Sequence, residues 1–389
     1  MKGFNTRAVH EGEIIDSRFG NVVTPIFQTS TFIHPNDDPN AYLDFNSGKP
    51  YLYTRSGNPT ISALEIKYAS LEGAKFGMAF SSGMAAISTT LLSLIKKGDR
   101  ILAINQLYGQ TYRLFLDLIE KYGIEVDFTS VDGLNSLDIE NRKYSIIYVE
   151  SITNPTLQVV DLIELGKYCN EMDIRLIVDA TFASPYNQRP LGFGADISIH
   201  SGSKYISGHS DVIIGLVATN DEGIRDKIVN GRKMYGGSPD PFAAYLSLRG
   251  LKTLGLRMER HNNNAMELAK FLSESEKVRK VYYPGLPDSE YYKVAKKVLK
   301  GFGGIVSFDP KGGYECAKKI VKSLKLAIPA PSLGGVETLV TLPRETSHAS
   351  LTSEELKRMG IPEGLIRVSV GIEDIDDLIE DFKQAISVC

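Results

Sequence analysis

The spacing of hydrophobic positions changes twice along the chain. Residues 1–59 show little periodicity and many turn formers, among them Pro25, Pro35, Pro50 and Pro59. Yet they carry Phe27, Phe32, Tyr42, Phe45, Tyr51 and Tyr53. A solvated tail has no use for so many aromatics, so this segment is expected to lie against something, such as a neighbouring subunit. From Thr60 to Glu72 the pattern turns helical, with Ile61, Leu64, Tyr68 and Leu71 on one face and Gly73 as a stop. Apolar runs then follow at Phe76–Phe80, Arg100–Ile104, Ile124–Phe128, Ser145–Val149, Arg175–Val178, Asp196–Ile199 and Val212–Ala218. Helical stretches separate several of them, for example Ala85–Lys96 and Thr111–Tyr122. Runs with no polar alternation suit strands buried on both faces, as in a parallel sheet covered by helices. The pattern predicts a large α/β domain with a mostly parallel sheet over residues 60–245.

Beyond Leu246 a long helical region around Leu256–Leu272 leads to Tyr282–Pro287. A helix (Tyr291–Lys300), a strand (Gly304–Phe308), a helix (Tyr314–Leu324), the runs Thr338–Leu342 and Ile366–Val370, and a final helix from Asp374 complete the chain. This predicts a smaller α+β domain over residues 246–389. Lys293, Lys296, Lys297 and Lys300 share a helix face opposite Val294 and Val298, the pattern of a solvated face, with nucleic-acid contact as the alternative.

Composition narrows the classes. With 42% hydrophobic and 23% charged residues over 389 positions, the chain reads as globular, with two or three domains. A balance of 44 Lys and Arg against 47 Asp and Glu argues against a nucleic-acid partner. No apolar run reaches the ~18 residues of a membrane span, and the first residues lack the apolar stretch of a secretory signal. Cys169, Cys316 and Cys389 are odd in number, far apart and without a CxxC, so no disulfide framework or zinc site is expected. A reducing cytoplasm fits.

In an open α/β sheet, ligands bind beyond the carboxyl ends of the strands. Four predicted strands lead there into chemically useful groups: Ser81-Ser82-Gly83-Met84, Glu150 with Asn154-Pro155-Thr156, Asp179, and His200-Ser201-Gly202-Ser203-Lys204. Singly each has an ordinary reading. Ser82 could be a plain helix cap, Asp179 a cap for the next element, Lys204 part of a surface loop, and Tyr108, after the Arg100–Ile104 run, a core tyrosine. His200, His209 and Asp211 lack a metal-ligand spacing. No GxGxxG follows the first strand, which disfavours a dinucleotide. Together the parts suit pyridoxal 5′-phosphate, which needs a lysine for its aldehyde, a carboxylate for its ring nitrogen, a phosphate cradle and a flat aromatic.

The motifs TPIFQTSTF, YTRSGNPT, FSSGMAAI, LYGQTY, ESITNPTLQVVD, VDATFASP, SIHSGSKYISGHSD, APSLGGVETLV and IRVSVGIED carry a resemblance across the whole chain. The sequence resembles the Cys/Met-metabolism (trans-sulfuration) family of pyridoxal-phosphate enzymes, fold type I. The resemblance implies γ-replacement or γ-elimination on sulfur amino acids or homoserine esters, of the cystathionine γ-synthase or γ-lyase type. Methionine γ-lyase and O-acetylhomoserine sulfhydrylase are the alternatives within the family; an aminotransferase is the alternative outside it. It implies that Lys204 binds the cofactor covalently and moves protons. Asp179 would pair with the ring nitrogen, Tyr108 would stack on the ring, and Asn154 would reach its hydroxyl side. Ser82, Gly83, Met84, Ser201 and Ser203 would hold the phosphate, joined by Tyr53 and Arg55 from a neighbouring subunit. Arg367 and Ser332 would take the substrate carboxylate, with Gln110 and Tyr53 as further substrate contacts. A homotetramer of dimers that share active sites is implied as well. Four positions depart from the family pattern: Ala180 stands where asparagine is usual, Ser203 where threonine is common although the hydroxyl is kept, Gln110 where methionine γ-lyases carry cysteine, and Pro331 where many γ-lyases and bacterial γ-synthases carry glutamate, though some γ-synthases match this sequence there.

Overall fold

The computed structural model describes the chain except residues 1, 37–42, 45–47, 140–142, 348, 350 and 351, so Tyr42 and Phe45 lie outside the described residues. Seven strands form the first sheet: β1 (Phe76–Phe80), β2 (Arg100–Ile104), β3 (Glu125–Thr129), β4 (Ile146–Glu150), β5 (Arg175–Asp179), β6 (Ile197–Ser201) and β7 (Gly215–Thr219). Their order is β1-β7-β6-β5-β4-β2-β3. The pairs from β6 across to β3 are parallel, whereas β7 runs antiparallel to both β6 and β1. Each strand lies within a few residues of its predicted run. The antiparallel β7 was not legible, because a strand buried on both faces has the same composition in either direction.

Helices cover both faces of this sheet. By register Ile101, Ile146, Ile177 and Ile197 share one face, where Phe115 packs on Tyr148, while Ile147, Val178 and Leu216 share the other, where Leu216 joins Leu64, Tyr68, Leu248 and Met258 in one cluster. Local chemistry sets the helix ends. Asn58 caps Pro59–Glu72, with its side chain accepting from the Thr60 N–H and Pro59 at the first position. Gly73 closes that helix in the left-handed conformation at φ 73°.

The second sheet has the order β10-β11-β12-β9-β8, formed by β8 (Val278–Tyr282), β9 (Ile305–Pro310), β10 (Ile328–Pro329), β11 (Leu339–Thr341) and β12 (Ile366–Ser369). The edge strand β8 precedes the Tyr282–Pro287 run, and its VRKVY sequence carries the exposed Arg279 and Lys280 expected at a sheet edge. The helix Leu254–Glu274 serves both cores: Leu254 and Met258 enter the first, and Ala265, Leu268 and Leu272 enter the second. The change of texture at Leu246 falls inside the preceding helix, Pro241–Leu251. Lys293, Lys296, Lys297 and Lys300 are exposed, with Ala295 and Val298 buried beneath them.

The N-terminal segment is partly anchored to its own chain. It opens with a helix, Phe4–His10, that lacked a clear sequence signal. The buried Lys67 ammonium donates to the carbonyls of Ala8 (2.8 Å) and Val9 (3.2 Å) and pairs with Glu13 at 3.3 Å. Tyr51 is buried against Phe32, with ring centroids 5.6 Å apart. By contrast Phe19 is 81% exposed, Val22 85% and Ile33 95%.

One expectation is corrected. Cys316 and Cys389 are joined by a disulfide, with Cα atoms 5.9 Å apart across 73 residues of sequence. The helices Gly313–Ser323 and Ile375–Ile386 pack together in the second core and bring the two cysteines within reach, which spacing alone could not reveal. The cysteine argument for a reducing compartment falls with it. Cys169 is free and buried.

Candidate active site

The carboxyl ends of β4, β5 and β6 converge. Glu150 ends β4 and stands in register with Asp179, which ends β5. Asp179 Oδ1 accepts the Thr181 N–H at 3.0 Å and the Thr181 hydroxyl at 2.6 Å. The Thr181 oxygen accepts in turn from the Ser201 N–H at 2.8 Å, tying the ends of β5 and β6 together. No hydrogen bond engages Asp179 Oδ2 among the described residues. Burial pushes the Asp179 carboxyl above the usual carboxylate range, opposed by the two Thr181 bonds and by the nearby His200. A cation at Oδ2 would restore the charged form.

Beside Ser201 lies a helix N-terminus with unused donors. The Ser82 side chain caps the helix Gly83–Leu94 by accepting from the Ala85 N–H at 3.0 Å. The first-turn N–H groups of Gly83 and Met84 are left without an acceptor among the described residues, at the positive end of the helix dipole. A Cβ at Gly83 would come within 3.0 Å of Ser201 Cβ and 3.1 Å of Ser201 Oγ, so glycine keeps this corner open. Ser201 Oγ has no protein partner among the described residues. Ser203 is more engaged: its hydroxyl accepts the Ile214 N–H at 2.9 Å and donates to the Ile214 carbonyl at 3.2 Å. It can serve a phosphate only by turning its proton away from Ile214.

Lys204 lies just beyond β6. Its Nζ donates to Ser332 Oγ at 2.7 Å. Burial, and next the Arg367 charge, hold its ammonium down at about 8 instead of 10.5. Ser332 sits at φ 86°, a strained value for a residue with a side chain. Its carbonyl accepts from Arg367 Nη2 at 2.9 Å, while Arg367 Nη1 donates to Asn154 Oδ1 at 3.0 Å. Arg367 projects from β12, is buried, and keeps an Nε–H with no partner among the described residues. Burial lowers its guanidinium to about 10. A buried guanidinium with an unused donor is built for an anion.

Tyr108 precedes the helix Gly109–Tyr122 and is 41% exposed; its backbone N–H donates to Glu150 Oε1 at 2.5 Å. Gln110 is exposed on the first turn of that helix. Thus Lys204, Asp179, Asn154, Ser332, Arg367, Gly83 and Ser201 belong to one region. Tyr53 and Arg55 are different. Both are exposed, the Arg55 guanidinium lies 5.4 Å from the Tyr53 ring centroid, and Ser238 Oγ donates to the Arg55 carbonyl at 2.7 Å. No hydrogen bond or ion pair joins either to Lys204, Asp179 or Gly83 among the described residues. His200 pairs with the buried Glu72 at 2.5 Å, and His209 with the Ser207 carbonyl at 2.7 Å. Thr181 and Glu150 join the site without a role that a sequence motif assigns. The hydroxyl two places after Asp179 was a usable signal for Thr181; Glu150 had only its place at a strand end.

The groups present fit the expected cofactor: a lysine with a depressed ammonium, a carboxylate oxygen left open, two free N–H groups and an open glycine corner beside Ser201. Arg367 supplies a prediction for the substrate side. Arg367→Lys keeps a charge but loses the planar fork. We expect kcat/KM for amino acids to fall about 100-fold, the ~3 kcal/mol of a charge-assisted pair, with cofactor affinity unchanged. Equal reactivity of amino acids and their amides in the wild type would refute the clamp.

Comparison with known proteins bears on this arrangement. The family model described as Cys/Met metabolism PLP-dependent enzyme matches residues 5–387. An L-methionine γ-lyase from Fusobacterium nucleatum is 42% identical, over 99% of this chain and 98% of its own length. A cystathionine γ-lyase from Dictyostelium discoideum is 40% identical, over 99% of this chain and 97% of its own. A crystal structure of cystathionine γ-synthase from Xanthomonas oryzae pv. oryzae, in complex with aminoacrylate and cysteine, superposes with a TM-score of 0.93 at 36% identity. It covers 100% of this chain and 98% of that one.

Proposed function

The chain belongs to the Cys/Met metabolism family of PLP-dependent enzymes, and from that premise we propose that it works at the γ-carbon of sulfur amino acids or homoserine esters, in the manner of a cystathionine γ-synthase or γ-lyase. The observation that carries this reading is the meeting of base and clamp at one residue: Ser332 holds Lys204 Nζ by its hydroxyl and Arg367 by its carbonyl. A substrate whose carboxylate lies on Arg367 presents its α-carbon to Lys204.

Pyridoxal phosphate, when bound, supplies an electron sink for charge that develops at the α- and β-carbons. The protein does the rest. Gly83, Met84 and Ser201 seat the phosphate, and Asp179 Oδ2 keeps the ring nitrogen protonated. Lys204 takes the α-proton and then a β-proton, favoured by an ammonium held at about 8. Tyr108 covers the ring. The bond from Cγ to sulfur or oxygen breaks with its electron pair leaving on the heteroatom. Either a thiol then bonds to Cγ, or water releases a 2-oxo acid and ammonia.

The deciding experiment is a product assay on four substrate sets: cystathionine, methionine, O-acetylhomoserine with cysteine, and O-acetylhomoserine with sulfide. The proposal expects cystathionine to be formed or cleaved fastest. Methanethiol as the main product would move the assignment to methionine cleavage. Amino-group transfer without release of ammonia or thiol would move it to an aminotransferase.

We further propose that the active sites are shared between paired copies within a larger homo-oligomer. The exposed Phe19, Val22 and Ile33, together with the free faces of Tyr53 and Arg55, support this. Arg55→Ala and Lys204→Ala are each expected to be nearly inactive alone. Refolded together in equal amounts, half of the dimers are mixed and each has one intact site of two, so about a quarter of wild-type activity returns. Mixed dimers confirmed by mass but no more active than the average of the parents would place Arg55 outside the partner's site.

A further inference from the structure

Two loops reach the candidate site from different strands. One follows β2 and carries Tyr108; the other follows β4 and carries Asn154, whose amide oxygen holds Arg367. A single side chain ties them. Glu150 is 5% exposed, its Oε1 accepts the Tyr108 N–H at 2.5 Å, and the Asn154 backbone N–H acts on the same carboxyl, favouring its charged form against burial. It stands in register with Asp179, and no lysine or arginine pairs with it among the described residues.

We propose that Glu150 is a positioning residue that fixes the ring-covering Tyr108 and the Asn154–Arg367 clamp relative to each other. Its carboxyl acts as a hydrogen-bond acceptor for two loops and not as a second negative charge beside the cofactor. Two desolvated carboxyls on neighbouring strand ends are not both ionised. Burial first, then the Asp179 charge, push the Glu150 carboxyl far above its usual range. With Asp179 serving the ring nitrogen, Glu150 is the neutral member. An amide of the same shape then replaces it, since a carbonyl oxygen accepts the same N–H groups.

The inference rests on the pyridoxal-phosphate reading, so wild type is measured alongside. Wild type that takes up no pyridoxal phosphate would sink that reading, not merely this one. The holoenzymes of Glu150→Gln, Glu150→Ala and Glu150→Asp are compared by visible circular dichroism of the bound cofactor, by kcat and KM, and by thermal unfolding. Glu150→Gln should keep the cofactor's dichroic band and stay within about threefold of wild type in both constants. Glu150→Ala should weaken or shift the band, lower kcat about 10- to 100-fold as Tyr108 drifts, and raise KM as the clamp loosens. Glu150→Asp keeps the carboxyl group but is one methylene short of Tyr108, so it should resemble Glu150→Ala. If the alanine variant does not fold, the glutamine and aspartate variants carry the test. Glu150→Gln as damaging as Glu150→Ala, near-normal Glu150→Asp, or Glu150→Ala with an unchanged band and constants would each overturn the proposal.

Discussion

Lys204→Ala lowers turnover about 10⁴-fold or more, because one side chain serves as covalent anchor and as proton carrier. The structure gives this lysine two properties that a surface lysine lacks. Its Nζ is aimed by Ser332 Oγ at 2.7 Å, and burial with the Arg367 charge holds its ammonium at about 8. Burial disfavours the charged form, so the shift is downward and neutral amine is plentiful at mildly alkaline pH. Cofactor uptake by the apoprotein should therefore accelerate as pH rises through about 8 and level off above it. Borohydride treatment of the holoenzyme should label the peptide carrying Lys204. A label on another lysine, or an alanine variant with residual turnover above a few per cent, contradicts the assignment.

Asp179→Asn slows α-proton exchange about 100-fold or more while leaving the fold intact. Losing one partner of a desolvated charge pair costs about 3 kcal/mol or more, which is roughly two orders of magnitude in rate. Asparagine keeps the oxygen that accepts from Thr181 N and Oγ1, so the link to Ser201 survives and only the charge at the second atom goes. The apoprotein provides the control. Burial raises the Asp179 carboxyl, so its ionisation opposes folding at neutral pH, and removing the charge there should leave Tm unchanged or higher. Exchange in deuterium oxide followed by proton NMR gives the rate. Near-normal exchange with bound cofactor would remove Asp179 from the role; a large drop in Tm would make its role structural.

The parts of the site legible in the sequence are those that strand ends display. A run such as Arg175–Val178 marks a buried strand, and Asp179 and Lys204 follow such runs because ligands bind at the carboxyl ends of a parallel sheet. Glu150 is as visible as Asp179, but its Oε1 accepts the Tyr108 N–H from 42 residues away, and no local pattern reports that. Ser203 carries the expected hydroxyl, yet the structure turns it towards Ile214. Arg367 could be read as a strand residue; that its guanidinium would bridge Asn154 and Ser332 depended on how the second sheet meets the first.

The sequence by itself determined the fold class, the strands of the first sheet, the order of the motifs and the residue types the cofactor chemistry needs. These depend on composition and spacing within a few residues, where propensity and burial act locally. Only the tertiary structure decided the antiparallel direction of β7, the Cys316–Cys389 link, the pairing of Lys204 with Ser332 and the register that sets Glu150 beside Asp179. Each of these is a contact between groups distant in the chain, fixed by how whole elements pack. The free energy that selects them comes from buried surface and satisfied polar groups shared by many residues at once, and no single stretch of sequence carries it.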